Sequence, residues 1–426
     1  MSGVWVVVLF LVLILLRLPL AFSMAVPAVI YLLAEGIPLS SVVHRMVNAV
    51  NSFTLLAVPL FIFAGNLMNY SGMTDRIFKF VLVIVGRIRG GLAQVNILSS
   101  LAFSGISGSA LADIGGLGKI MIRAMNKAGY DPKISAGLTA ASATVGPIFP
   151  PSIPIIIYAV VAEVPAARLL LSGIVPALLV VAIMMIQVAW MAKKYNYPRE
   201  ENVISLREKA VTFGKAFPAL LTPVILIVGL LTGVFGPTEL AAFTVLYIVV
   251  LGKFVYRELT WEGFMASIKE TVRSTAVVMI IISAAAIFAW TLTVSRLTQD
   301  VTQFLLGIST NPTVLLFIVA VLLLIVGCLL ESVAAILIIT PLVAPPLVTA
   351  GVDPIHLGLI VVFTLMIGLL TPPVGMSLFM TSSIANMPLE QVVRGTAPFL
   401  FSLLITLVIL ILFPPLSIWL PSLIMK

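Results

Sequence analysis

The sequence predicts an all-α polytopic membrane protein built of two inverted-topology repeats, each with a re-entrant hairpin and a discontinuous helix. Three observations carry this. First, 61% of the 426 residues are apolar and 9% are charged, whereas a soluble domain is about a quarter charged. Second, Ala128, Gly129, Asp131, Pro132, Gly146, Pro150 and Pro151 recur without gaps as Ala350, Gly351, Asp353, Pro354, Gly368, Pro372 and Pro373. Third, the two copies differ in charge. The first has Lys119, Arg123, Lys127 and Lys133 around its connector, and the second has no Lys or Arg between Leu342 and His356. Positive loops stay in the cytoplasm, so the first connector is expected inside and the second outside.

The other composition classes fall away. The net charge of +8 comes from Lys and Arg in short loops between apolar runs, where orientation accounts for it, so no nucleic-acid partner is expected. Cys328 is the single cysteine, which excludes an internal disulfide and a cysteine-cluster metal site. His44 and His356 lie far apart without ligand spacing and read as interfacial loop residues. Residues 4–16 read as a retained first span, with a short signal anchor as the alternative.

Two apolar runs within 4–34 meet near Arg17 and Pro19, followed by a polar loop through His44 and Arg45 and a span from about Ser52 to Tyr70. After the basic loop at Arg87 and Arg89, residues 93–106 and 110–126 are each too short to cross ~30 Å of hydrocarbon comfortably. The small polar cluster SGISGS joins them, so they read as the arms of a re-entrant hairpin. Residues 134–162 cross with an interruption at VGPIFPPS, and 169–192 return. The second half repeats the plan with apolar 216–235 and 240–252, an amphipathic interfacial helix over 253–275, and a crossing at 276–293. In that interfacial helix Lys269 and Arg273 would hold the headgroups while Trp261 and Phe264 bury their rings. The repeats are therefore 1–192 and 216–426, separated by a basic cytoplasmic linker, 193–215, with six cationic residues.

Irregular backbone at membrane depth persists only where it lines a cavity or binds something, because an unpaired backbone group in lipid costs several kcal/mol. Two such places are expected in each repeat, a hairpin tip and a helix break. A hard cation such as sodium suits pockets of freed carbonyls and hydroxyls without thiol or imidazole. The candidate first sodium site is Ser104, Gly105, Ser107, Gly146, Phe149 and Ser152, and the second is Gly327, Glu331, Gly368, Thr371 and Val374. Between them, Ser107, Ser109, Asp113, Pro150, Ser332 and Pro372 are the candidate substrate contacts, with positive helix ends favouring an anion. Plainer readings stand beside these: Ser and Gly also serve close helix packing, Asp113 could cap or bridge a tip, and Glu331 could stabilise a helix N-terminus. Duplicated, oppositely inserted units with broken helices are the mark of a secondary transporter. No GxxxxGK[ST] motif or catalytic constellation is present, so neither direct ATP hydrolysis nor an enzyme is indicated.

FAGNLMNYSG, FSGISGSALADIGGLGKIMIRAMNKAGYD, AASATVGPIFPPSIP, SGIVPALL and GLLTPPVGMSLF together resemble the large membrane subunit of tripartite ATP-independent periplasmic (TRAP) transporters over nearly the whole chain. The resemblance implies an elevator in the bacterial inner membrane, with scaffold at 1–50 and 216–275 and a moving transport part at 51–192 and 276–426. It also implies sodium-coupled uptake of an organic anion such as a sialic acid or C4-dicarboxylate. It implies two partners besides the lipid bilayer, a small four-span membrane subunit and a periplasmic binding protein. Because the chain begins directly with the large subunit's first span, the small subunit is expected to be a separate polypeptide. The alternative is a stand-alone sodium/carboxylate symporter of the same architecture. No cofactor beyond the coupling sodium is expected.

Overall fold

The structure, a computed structural model, describes residues 3–199 and 205–425, and residues 200–204 of the expected basic linker lie outside the described residues. Among these, seven helices are long and apolar enough to cross a bilayer, or eight when a pair bent by 59° is taken as one span. No strand occurs among the described residues.

Both repeats have the expected order. In the first, the hairpin arms are Gly91–Ser107 and a helical run from Ala110 to Lys127 that widens into a π-turn at Ile114–Gly118. Pro132–Ser142 follows, then a break, then Ile153–Val161. The second gives Pro312–Leu329 and Ser332–Thr349 as hairpin, Pro354–Gly368, a break, and Met376–Ala385. The aspartates of the two AG-x-DP turns cap the helices that follow, Asp131 accepting from Lys133 N (2.9 Å) and Asp353 from Ile355 N (2.8 Å). Turn chemistry thus explains both residues.

The half-helix after each break packs on the hairpin of the other repeat. Ile153–Val161 lies against Ser332–Thr349, while Met380 and Ile384 pack on Ala110, Ile114 and Ala143. This reciprocal exchange is what a two-fold relation between the repeats requires.

Four expectations need correction. The stretch through His44 and Arg45 is not a loop but the helix Leu39–Val50, on which Arg45 stacks over Trp290 at 4.2 Å. Its apolar and polar residues recur at helical spacing, which outweighs its high polar content. His356 is not interfacial; it is 2% exposed, with Nδ1 2.7 Å from the Ser417 hydroxyl. The second-repeat helix expected at 216 begins at Leu206, because Ser205 and Glu208 form a capping box. Finally, 253–275 is not a separate interfacial helix. Residues 253–255 end the preceding helical run, and Trp261–Val294 is one unbroken helix of 34 residues capped by Thr260. No proline or glycine interrupts it between Gly263 and Val294, so nothing halts the helix where the charges give way to apolar residues.

Candidate substrate and cation site

Each hairpin tip meets the break of its own repeat. In the first, Gly91–Ser107 stops at Gly108, whose φ of +58° is open to glycine at little cost. A side chain there would also run into Pro151 O and Ile153 N. A Cβ placed on Gly146 would lie 3.4 Å from Ser104 Oγ, and one on Gly105 would lie 3.4 Å from Phe149. In the second repeat the approach is closer still: a Cβ on Gly368 would come 2.6 Å from Gly327 Cα, and Gly375 N donates to Cys328 O at 2.9 Å. Both breaks carry a cis Pro–Pro peptide, Pro150–Pro151 and Pro372–Pro373.

The first break is sequestered, with every residue from Ala136 to Ala159 buried. Pro147, Pro150, Pro151 and Pro154 have no N–H to offer, and among the described residues the carbonyls of Gly146, Ile148, Phe149 and Pro150 accept no protein hydrogen bond. Ser152 Oγ donates to Pro147 O and accepts from Ile155 N (3.1 Å), capping the helix that restarts there. Ser107 is 3% exposed and its hydroxyl has no protein partner. Buried oxygens without donors are what a bare cation needs and what a packed apolar core avoids. The second break is more open. Pro372 and Pro373 are exposed, Thr371 Oγ1 donates to Ile367 O (3.0 Å), and Val374 stands where the first repeat has Ser152, bringing no side-chain oxygen.

The two tips face one cavity of about 690 Å³, in the size range of small-molecule sites. Ser107, Ser109 and Ser332 line it, whereas Asp113, Pro150 and Pro372, also expected at the substrate, do not. Asp113 is buried beside the Ser100 hydroxyl, with Oδ2 lacking a partner. Glu331 lines the cavity but is engaged as a cap: Oε2 accepts from Val333 N (2.9 Å) and Ala334 N (3.3 Å), and Oε1 from the Ser332 hydroxyl (2.7 Å).

A buried polar ladder behind the first tip escaped the motif reading. Asn96 donates to Thr139 Oγ1 (2.7 Å), Ser142 to Asn96 Oδ1 (3.3 Å) and Ser100 to Ser142 (3.0 Å), while Ser104 donates to Ser100 O (2.5 Å). Its signal was the i, i+4, i+8 spacing of Asn96, Ser100 and Ser104, which puts them on one helical face. Asn66, Asn69 and Arg273 in the cavity wall were also missed.

Taken together, two broken helices and two hairpins converging on one cavity of a multi-pass helical protein define a membrane transporter, not an enzyme. The model of the tripartite ATP-independent periplasmic transporter DctM component matches residues 7–416, and the chain belongs to that inner-membrane permease family. It is 42% identical over 407 residues to the sialic acid TRAP transporter large permease SiaM of Vibrio cholerae, covering 95% of each chain. It is 36% identical over 421 residues to the sialic acid permease SiaT of Haemophilus influenzae, covering 99% of this chain and 67% of that one. To the C4-dicarboxylate large permease DctM of Pseudomonas aeruginosa it is 36% identical over 382 residues, covering 90% and 89%. Among solved structures it resembles the YdaH transporter of Alcanivorax borkumensis, with TM-score 0.66 at 15% identity over 90% of this chain and 89% of the other. The likeness is in the fold.

Proposed function

We propose that this chain is the large permease of a sodium-coupled uptake system for an organic anion of the sialic acid or C4-dicarboxylate class. The observation that carries the proposal is the first tip and the break it meets, where the tip buries an unpartnered Ser107 hydroxyl and the break buries carbonyls that accept no hydrogen bond among the described residues. The sodium would be held there by Ser104, Gly105, Ser107, Gly146, Phe149 and Ser152, and in the second repeat by Gly327, Glu331, Gly368 and Thr371. Ion binding at a tip also orders the backbone beside the substrate, which couples the two solutes. The hairpins and breaks move as one carrier past a scaffold that includes 1–50 and 216–275, the reading supported by their mutual packing around the cavity. Its partners are a separate small membrane subunit and a periplasmic binding protein.

The test is uptake of labelled N-acetylneuraminate or succinate into proteoliposomes holding both membrane subunits, with the binding protein outside. Uptake should require sodium, and Ser107→Leu should raise the half-saturating sodium concentration with expression intact. Equal uptake in lithium, potassium or choline would overturn the proposal.

A further inference from the structure

The cavity wall opposite the hairpin tips is a stripe of the helix Trp261–Val294: Arg273, Ser274, Val277, Val278 and Ile281, spaced so that they share one face. Two charged residues line the cavity, Glu331 and Arg273. Their situations differ. Glu331 is saturated by its own helix, with both oxygens accepting hydrogen bonds. Among the described residues Arg273 has neither an ion pair nor a hydrogen bond. The position equivalent to Arg273 by the FAGNLMNYSGMTD to FAWTLTVSRLTQD alignment is Asn48, which bonds His44 at 2.8 Å and does not line the cavity. The repeat therefore does not explain the arginine, and headgroup anchoring does not require it to point at the hairpins.

Arg273 is exposed and lines the cavity without a counter-charge among the described residues, so its donors are open to a ligand. Its planar fork of donors matches a carboxylate through two parallel hydrogen bonds, a geometry an ammonium cannot reproduce. We propose that Arg273 is the carboxylate-binding residue of the cavity, holding the substrate's anionic end while Ser107, Ser109 and Ser332 face the rest of the molecule. This rests on the organic-anion reading above and adds its recognition element. It also puts the anion contact on the long helix and not on the hairpins, so substrate bridges the two bodies while it occupies this cavity.

The test uses the detergent-solubilised complex of both membrane subunits in saturating sodium, without the binding protein. Binding of N-acetylneuraminate is compared with that of its C1 carboxamide, and succinate with succinamide. The wild-type complex should prefer the acid of one pair. Arg273→Gln should weaken acid binding roughly tenfold or more, the range of a lost charge-assisted hydrogen bond. It should leave the amide within about twofold and sodium-induced thermal stabilisation unchanged. Arg273→Lys, which keeps charge but loses the fork, should fall between. If Arg273→Gln retains wild-type acid preference, the assignment is overturned while the organic-anion reading stands. If Arg273→Gln does not fold, Arg273→Lys decides, and wild-type affinity in that variant overturns the assignment. A wild-type complex with no preference for either acid overturns the organic-anion reading and the assignment with it.

Discussion

The two repeats share a backbone plan and differ in chemistry at nearly every position that matters. Behind the first tip, Asn96, Ser100, Ser104 and Thr139 form a buried hydrogen-bonded ladder; at the same places, 222 residues on, the second repeat has Ile318, Leu322, Val326 and Val361. Asp113 is answered by Ala335, the capping Ser109 by Glu331 and the capping Ser152 by Val374. The first tip is thus backed by a side-chain ladder, and the second by the close approach of Gly327 to Gly368, one backbone bond from Gly375 to Cys328 and the Glu331 cap. Geometry was kept after duplication while the means of holding it diverged, because a tip needs a rigid neighbour and either a polar ladder or a tight glycine contact supplies one.

This contrast can be broken in three ways. The largest effect is expected from Gly368→Val. Its new side chain would occupy the space of Gly327, and small-to-large changes in a packed site typically cost about 1–3 kcal/mol or more. Uptake should fall below detection although the protein still reaches the membrane; retained uptake would mean that the second tip is not held by this contact. Next, moving the second repeat's residues into the first, as Asn96→Ile with Thr139→Val, leaves the Ser142 hydroxyl without its Asn96 acceptor. Ser142 keeps Thr139 O as an acceptor (3.2 Å), so the loss is that of the hydrogen bonds made by Asn96, about 0.5–1.5 kcal/mol each; the melting temperature should drop and the half-saturating sodium concentration should rise. The reciprocal Ile318→Asn should lower stability without improving sodium affinity. An unchanged sodium dependence in the first variant would separate the ladder from the cation site. The smallest effect belongs to the caps. Ser152→Val removes an N-cap worth about 0.5–2 kcal/mol and should lower thermal stability, whereas Val374→Ser should leave it level or raise it slightly. Equal losses from both substitutions would erase the distinction between the breaks.

Topology can be checked without a functional readout. Asn126 and Thr349 are both exposed at the ends of corresponding hairpin arms. In a Cys328→Ala background, Asn126→Cys and Thr349→Cys should react with a membrane-impermeant thiol reagent from opposite faces. Reaction from the same face would contradict the opposed insertion of the repeats.

The hairpins and breaks were legible because their signals are local: glycine and proline punctuation, recurring at one offset. Residues whose importance depends on what lies across the cavity were not. Asn96 and Thr139 are 43 residues apart, and each alone is an ordinary polar residue in an apolar run. Arg273 lies in a stretch of alternating charge that an interfacial helix would explain equally well, and only the unbroken course of Trp261–Val294 turns it toward the hairpin tips. Asp113 sits one helical turn beyond the tip, as the spacing required, and its side chain is buried beside Ser100 without lining the cavity.

The two arms flanking the cavity differ in stiffness. Leu39–Val50 and Thr54–Tyr70 meet at a 59° bend, while their counterpart runs unbroken for 34 residues, about 51 Å at 1.5 Å per residue. That exceeds the ~40–45 Å thickness of a bilayer with its headgroups. A rod longer than its medium can tilt but cannot telescope, whereas a jointed arm can fold at its elbow. Strain introduced on one side of the cavity is therefore passed end to end, and on the other side it is absorbed where it arises. Thinning the membrane should accordingly load the unbroken arm first, making lipid chain length an asymmetric lever on a molecule whose halves began alike.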